Sequence, residues 1–182
     1  MNSDVIMAGF GGQGILMIGN LLSLAAMEEG KQVTYFPAYG VEMRGGTANC
    51  TVVISDEEIG SPVVGFPRGL VIMNGPSLDK YLPDLKPAGL LVMNSSLVDT
   101  SKAVRDDIRK LPVPANDIAR TIGTPQLASM VALGAYVTAA GVVSLETLIG
   151  CIPKVISRKY EKFIPLNINA LREGEAVARL HA

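Results

Sequence analysis

The chain has 182 residues and a mass of 19.2 kDa, enough for one domain with a buried core. A formal charge of −1 and an isoelectric point near 5.8 leave no basic field for nucleic acid or an anionic membrane. With 48% hydrophobic and 18% charged residues the chain is too apolar for disorder, and its two cysteines exclude a disulfide scaffold.

The first predicted element is a short apolar strand, Val5 to Ala8, running into Gly9-Phe-Gly-Gly-Gln-Gly14. A helix from about Ile15 follows, and Gly30 stands where a C-cap glycine belongs. Gln32 to Phe36 reads as a second strand broken by Pro37, and the β-branched run Thr47 to Ser55 as a third. Leu70 to Met73 and Leu90 to Met93 suit central strands buried on both faces, with a helical piece around Ser77 to Leu82 between them. The charges of Thr100 to Lys110 fall in a helical pattern, Lys102, Arg105, Arg109 and Lys110 forming a solvated face balanced by Asp106 and Asp107.

The uncharged stretch Thr121 to Leu145 is interrupted by Pro125, Gly134 and Gly141. It reads as a buried helix from about Gln126 to Ala140 rather than a membrane span. Ser144 is placed as the N-cap of a helix carrying Leu145, Leu148, Ile149 and Ile152 on one face. A last amphipathic helix is expected from about Asn167 to Leu180. Met-Asn-Ser-Asp brings no positive charge to the first apolar run, so no secretory signal is expected and the location reads as cytoplasmic. The expectation is one α/β domain over residues 1–182, a three-layer sandwich around a mostly parallel or mixed sheet, with a Rossmann-like glycine turn after the first strand.

Gly9, Gly11 and Gly14 match G-x-G-x-x-G, with an extra glycine at 12. Such a turn lets the backbone approach an anion at the positive end of a helix. The acid that would hold a nicotinamide ribose is missing, because the second strand ends Tyr35-Phe36-Pro37. No Lys-Ser/Thr follows Gly14, so this is not a Walker A loop either. The sequence leaves two readings open, a turn that packs a helix on a sheet and a turn that binds a ligand. The helix after it is apolar nearly all round, with Asn20 and Ser23 its polar positions, so its far side is expected to meet another subunit.

In Tyr39-Gly-Val-Glu-Met-Arg-Gly-Gly46, Glu42 and Arg44 project from one face of an extended chain, and Gly45-Gly46 permits a close backbone approach. The stretch is either a surface loop with a charge pair or a loop offering Arg44 to a phosphate, carboxylate or partner. His181 is the single histidine and Cys50 and Cys151 stand about a hundred residues apart. Neither a histidine-based catalytic arrangement nor a metal or iron–sulfur site is expected in this chain.

Together, Gly9-Phe-Gly-Gly-Gln-Gly14 and Tyr39-Gly-Val-Glu-Met-Arg-Gly-Gly-Thr-Ala-Asn-Cys50 resemble the gamma subunit of 2-oxoacid:ferredoxin oxidoreductases. Ser61-Pro62, Gly69-Leu-Val-Ile-Met-Asn74 and Leu133-Gly134 fit the same scheme, so the resemblance covers nearly the whole chain. Val41 departs from it, standing where the family commonly has proline. Glu-Met-Arg-Gly-Gly looks more like the 2-oxoglutarate and branched-chain members than the pyruvate ones.

The resemblance implies a part of a complex enzyme that converts a 2-oxoacid, 2-oxoglutarate first among them, and coenzyme A to acyl-CoA, carbon dioxide and reduced ferredoxin. It implies alpha, beta and delta partner subunits that carry thiamine diphosphate and the iron–sulfur clusters, with the isolated chain inactive and holding no catalytic residue or metal of its own. Gly9, Gly11, Gly12, Gln13 and Gly14 would face coenzyme A phosphates, with Glu42, Arg44, Gly45 and Gly46 at the same site or at a subunit joint. The alternative is a free-standing coenzyme A- or nucleotide-binding protein.

Overall fold

Six strands form one sheet in the order β2-β3-β1-β4-β5-β6. They are β1 (Asn2–Phe10), β2 (Gln32–Tyr39), β3 (Thr47–Ser55), β4 (Gly69–Ile72), β5 (Leu90–Asn94) and β6 (Arg109–Val113). The computed structural model describes residues 2–39 and 46–181. β4, β5 and β6 run parallel to β1, whereas β3 is antiparallel to both β1 and β2. The sheet is therefore mixed, and β1 lies where its two halves meet.

Alternation along the central strands divides the core. Val5, Met7, Val71, Val92, Leu111 and Val113 point to one face; Ile6, Ala8, Leu70, Ile72, Leu91 and Met93 point to the other. The first face is covered by α1 (Ile15–Glu28), α3 (Ala115–Ile122), α4 (Ala128–Ala140), α5 (Leu145–Val155) and α6 (Ile164–Leu180). The second is covered by α2 (Gly75–Tyr81) and the turn after it, through Leu78, Leu82 and Leu85. This is the expected three-layer α/β sandwich, with unequal outer layers.

The helix expected to be buried, α4, is buried, and α1, whose far side is expected to meet another subunit, is largely covered within this chain. α4 lies between the sheet and α6, and its residues from Ala128 to Val137 are all buried. The helix backbones approach so closely that a Cβ on Gly134 would fall on the Leu171 carbonyl, and one on Gly174 on the Val131 carbonyl. α1 packs on β1, β2 and β3 and is covered by α5 on its other side. Most of the apolar surplus is thus absorbed by a second helical layer; on α1, Met27 stays 61% exposed.

Two expectations fail locally. Pro37 does not break β2, which continues to Tyr39. β2 is an edge strand, so a missing N–H can fall on the side that faces no neighbour. Residues Thr100 to Lys110 form no helix: a 3-10 turn covers Thr100–Lys102, and Arg109 opens β6. Arg105 is a tether rather than a solvated charge, donating to the Leu82 and Leu85 carbonyls and to Asp107. α3 and a 3-10 turn over Arg158–Phe163 are additional elements. Gly141 ends α4 in the left-handed conformation, and Ser144 Oγ accepts the Thr147 N–H at 3.0 Å as the N-cap of α5.

Candidate functional site

β1 delivers the chain to the glycine turn at the carboxyl edge of the parallel half of the sheet. Gly12 (φ 92°) and Gly14 (φ 79°) both take left-handed backbone, which side chains disfavour. Gly14 is also the N-cap of α1, whose first turn carries no acidic residue and receives no side-chain cap. The positive end of a 14-residue helix is left to be met by something else.

Gln13 organises the turn. Its Oε1 accepts the Phe10 N–H at 2.6 Å, and its Nε2 donates to the Met73 carbonyl at 3.4 Å, linking β1 to the end of β4. Gly9 makes room for this, because a Cβ there would come within 2.5 Å of Gln13 Oε1. The Gly11 N–H donates to the Gly46 carbonyl at 2.8 Å and the Gln13 N–H to the Phe10 carbonyl at 3.1 Å. Those two amides are committed inside the protein. Gly12 and Gly14 supply the turn amides without a partner among the described residues.

The Gly11–Gly46 bond also joins the two glycine stretches, through residues more than thirty positions apart in the chain. Antiparallel pairing of Phe10 with Thr47 holds that junction in register. Glu42, Arg44 and Gly45 lie outside the described residues, and Gly46 is the residue of that stretch bonded to the turn.

Beside the turn is a crevice of about 180 Å³ lined by Gly12, Gln13, Met73, Asn116 and Gln126 among others. Asn94 ends β5 beneath it, fully buried, its Nδ2 donating to Asn116 Oδ1 at 2.7 Å while its own Oδ1 has no protein partner. Ser129 Oγ is likewise buried without a partner, and lies against Gly14 where a Cβ would meet it at 2.5 Å. The site is thus built from neutral amides, a helix end and backbone N–H groups, suited to anions and polar edges rather than to proton transfer. Sequence reasoning missed Asn94, Asn116 and Gln126. The available signal was an asparagine closing a parallel strand, the edge where ligands of open α/β sheets gather.

The remaining reactive groups are elsewhere. Cys50 on β3 is fully buried, its Sγ donating to the Ile15 carbonyl, and burial pushes its pKa up to about 12. Burial raises the Cys151 thiol on α5 as well. Both are packing residues. His181 follows the last turn of α6, its Nδ1 2.9 Å from the Val177 carbonyl. Among the described residues no three His, Cys, Asp or Glu side chains gather as a metal site, and no helix is long and apolar enough to cross a membrane.

Residues 4–177 match the pyruvate ferredoxin/flavodoxin oxidoreductase family. The chain is 41% identical over 177 residues to ketoisovalerate oxidoreductase subunit VorA of Methanothermobacter marburgensis, covering 96% of this chain but 36% of that protein. It therefore spans about a third of the length of that relative. Against 2-oxoglutarate synthase subunit KorC of Methanocaldococcus jannaschii the identity is 34% over 185 residues, with 98% of this chain and 95% of the relative covered. In structure it is similar to the keto/oxoacid ferredoxin oxidoreductase gamma subunit of Geobacter sulfurreducens, with a TM-score of 0.84, 30% identity, and 98% and 99% of the two chains covered.

Proposed function

Given that the chain belongs to the pyruvate ferredoxin/flavodoxin oxidoreductase family, we propose that it serves as the gamma subunit of a 2-oxoacid:ferredoxin oxidoreductase. The observation that carries this is end-to-end similarity to a gamma subunit, 98% of one chain on 99% of the other. A free-standing binding protein is disfavoured by the same observation. In the complex, a 2-oxoacid loses carbon dioxide, its acyl group passes to the coenzyme A thiol, and the electron pair released reduces ferredoxin. Thiamine diphosphate and iron–sulfur clusters belong to the alpha, beta and delta partners in this reading, and supply the decarboxylation and electron transfer.

This chain's residues bind and orient. Gly12 and Gly14 present N–H groups and the α1 N-terminus to coenzyme A phosphates, where the negative charge meets the helix dipole. Gln13 holds the turn in that shape, and Gly9 and Gly11 allow the fold-back. Glu42, Arg44 and Gly45 lie outside the described residues and enter this reading through the sequence alone, Arg44 as a guanidinium that adds a charge-assisted bond to phosphate. Among the described residues at the turn, none is a titratable group that would exchange a proton with substrate. We favour 2-oxoglutarate as the 2-oxoacid, because the KorC similarity spans nearly all of both chains.

The test is co-expression with the reading frames beside its gene, followed by 2-oxoacid-dependent ferredoxin reduction in the purified complex. Turnover of 2-oxoglutarate over 2-oxoisovalerate and pyruvate is expected. Arg44→Ala is expected to raise the coenzyme A KM about tenfold, the worth of one charge-assisted contact, with assembly intact. An unchanged KM together with unchanged assembly would remove Arg44 from the site.

A further inference from the structure

The groove on the far side of Gly12 and Gln126 is three times larger than the crevice, at about 610 Å³, and the proposed coenzyme A contacts use only its Gly12–Gly14 edge. Its walls are otherwise mostly apolar, built by Met17, Leu127, Ile156, Leu166 and two rings, Tyr160 and Phe163, with Thr124, Gln126, Ser157 and Asn167 among them. Those rings come from the 3-10 turn Arg158–Phe163 between α5 and α6. They are 49% and 37% exposed, with centroids 6.3 Å apart.

Each ring carries an ammonium on its face. Lys159 Nζ lies 4.9 Å from the Tyr160 centroid and Lys162 Nζ 5.1 Å from that of Phe163. Arg158 belongs to the same turn, and Glu161 is its one carboxylate. Among the described residues none of these three cations has an ion-pair partner, although most exposed cations of α3, α5 and α6 do. A chain of net charge −1 thus places three cations, unpaired among the described residues, and one carboxylate on the turn that supplies two rings of a mostly apolar groove. An apolar centre within a charged rim is the anatomy of a protein contact, and the sign of the rim selects the partner.

We propose that this groove is the docking site for an acidic amphipathic segment of a partner subunit. Its apolar side chains enter between Leu127, Ile156 and Phe163, and its carboxylates meet Lys159, Lys162 and Arg158. The segment closes over the groove next to the glycine turn, so docking also shields the coenzyme A edge from water. The identity of the partner rests on the gamma-subunit reading; the chemistry of the contact rests on the groove itself.

Hydrogen–deuterium exchange compares the full chain alone, with coenzyme A, and in the co-expressed complex, alongside assembly of Lys159→Glu/Lys162→Glu and Lys159→Arg/Lys162→Arg double variants. Amides of residues 156–164 are expected to slow about tenfold or more in the complex but not with coenzyme A alone. The Glu pair should weaken assembly by about tenfold or more, most at low salt, while the Arg pair assembles as wild type. Both pairs are exposed, and matching melting curves verify that they fold. Unchanged exchange in an assembled complex, equal assembly of the Glu pair, or protection by coenzyme A alone overturns the docking site and leaves the subunit reading standing. Failure of the wild-type chain to assemble overturns both.

Discussion

Gly12 and Gly14 share a backbone conformation but not an environment, and the difference is measurable. A Cβ on Gly12 meets open space, whereas one on Gly14 meets Ser129 Oγ at 2.5 Å. Gly12→Ala is expected to cost about 1 kcal/mol of backbone strain. Gly14→Ala adds a clash to that strain and is expected to cost about 2–3 kcal/mol, read as a larger fall in urea midpoint. Glu29, just past α1, offers a pH test. Burial alone would raise its pKa, but hydrogen bonds from the Ser144 N–H at 2.7 Å and Lys31 Nζ at 2.9 Å outweigh this and hold it below the ordinary glutamate value. A carboxylate depressed in the folded state adds stability above its unfolded pKa of about 4.3, and that addition is lost as pH falls through the folded value. Glu29→Gln should therefore lower the urea midpoint at neutral pH, with the gap to wild type closing below about pH 4.

Helices α4 and α6 are held together by what two glycines omit. With Gly134 against the Leu171 carbonyl and Gly174 against Val131, the backbones touch where any side chain would force them apart. Gly134→Ala is expected to destabilise by about 3 kcal/mol or more despite its better helix propensity, because neither facing atom is a side chain that can rotate away. Equilibrium denaturation checks this. The elements that read clearly from sequence carry their own local signals. α4 is long, uncharged and stopped by Gly141, β3 is rich in β-branched residues, and α5 is opened by Ser144. Where reading fails, a neighbour decides. Arg109 and Lys110 look helical among their charges, yet pairing with Leu90 and Leu91 draws them into β6. Pro37 looks like a stop, but an edge strand tolerates it. α3 is only eight residues long, too short to establish a helical period.

At the scale of the molecule, the sheet brings together what the chain keeps apart. The Gly11–Gly46 bond joins the two glycine stretches, and α3 and the turn before α4 bring Asn116 and Gln126 to the same edge. None of these groups is a proton donor or nucleophile suited to 2-oxoacid chemistry. On the proposed gamma-subunit reading, the purified chain alone is expected to show no 2-oxoacid-dependent ferredoxin reduction, with activity appearing when partner subunits are added. The sequence by itself determined the strand–turn–helix opening, the α/β class, the buried α4 and the family resemblance. These depend on local periodicity, on glycine placement and on motifs contiguous in the chain. Only the tertiary structure decided that β3 runs antiparallel to β1, that the apolar surplus of α1 and α4 is covered by α5 and α6, and that the Gly11 N–H donates to Gly46. Those outcomes turn on which distant segments become neighbours, which no local pattern encodes.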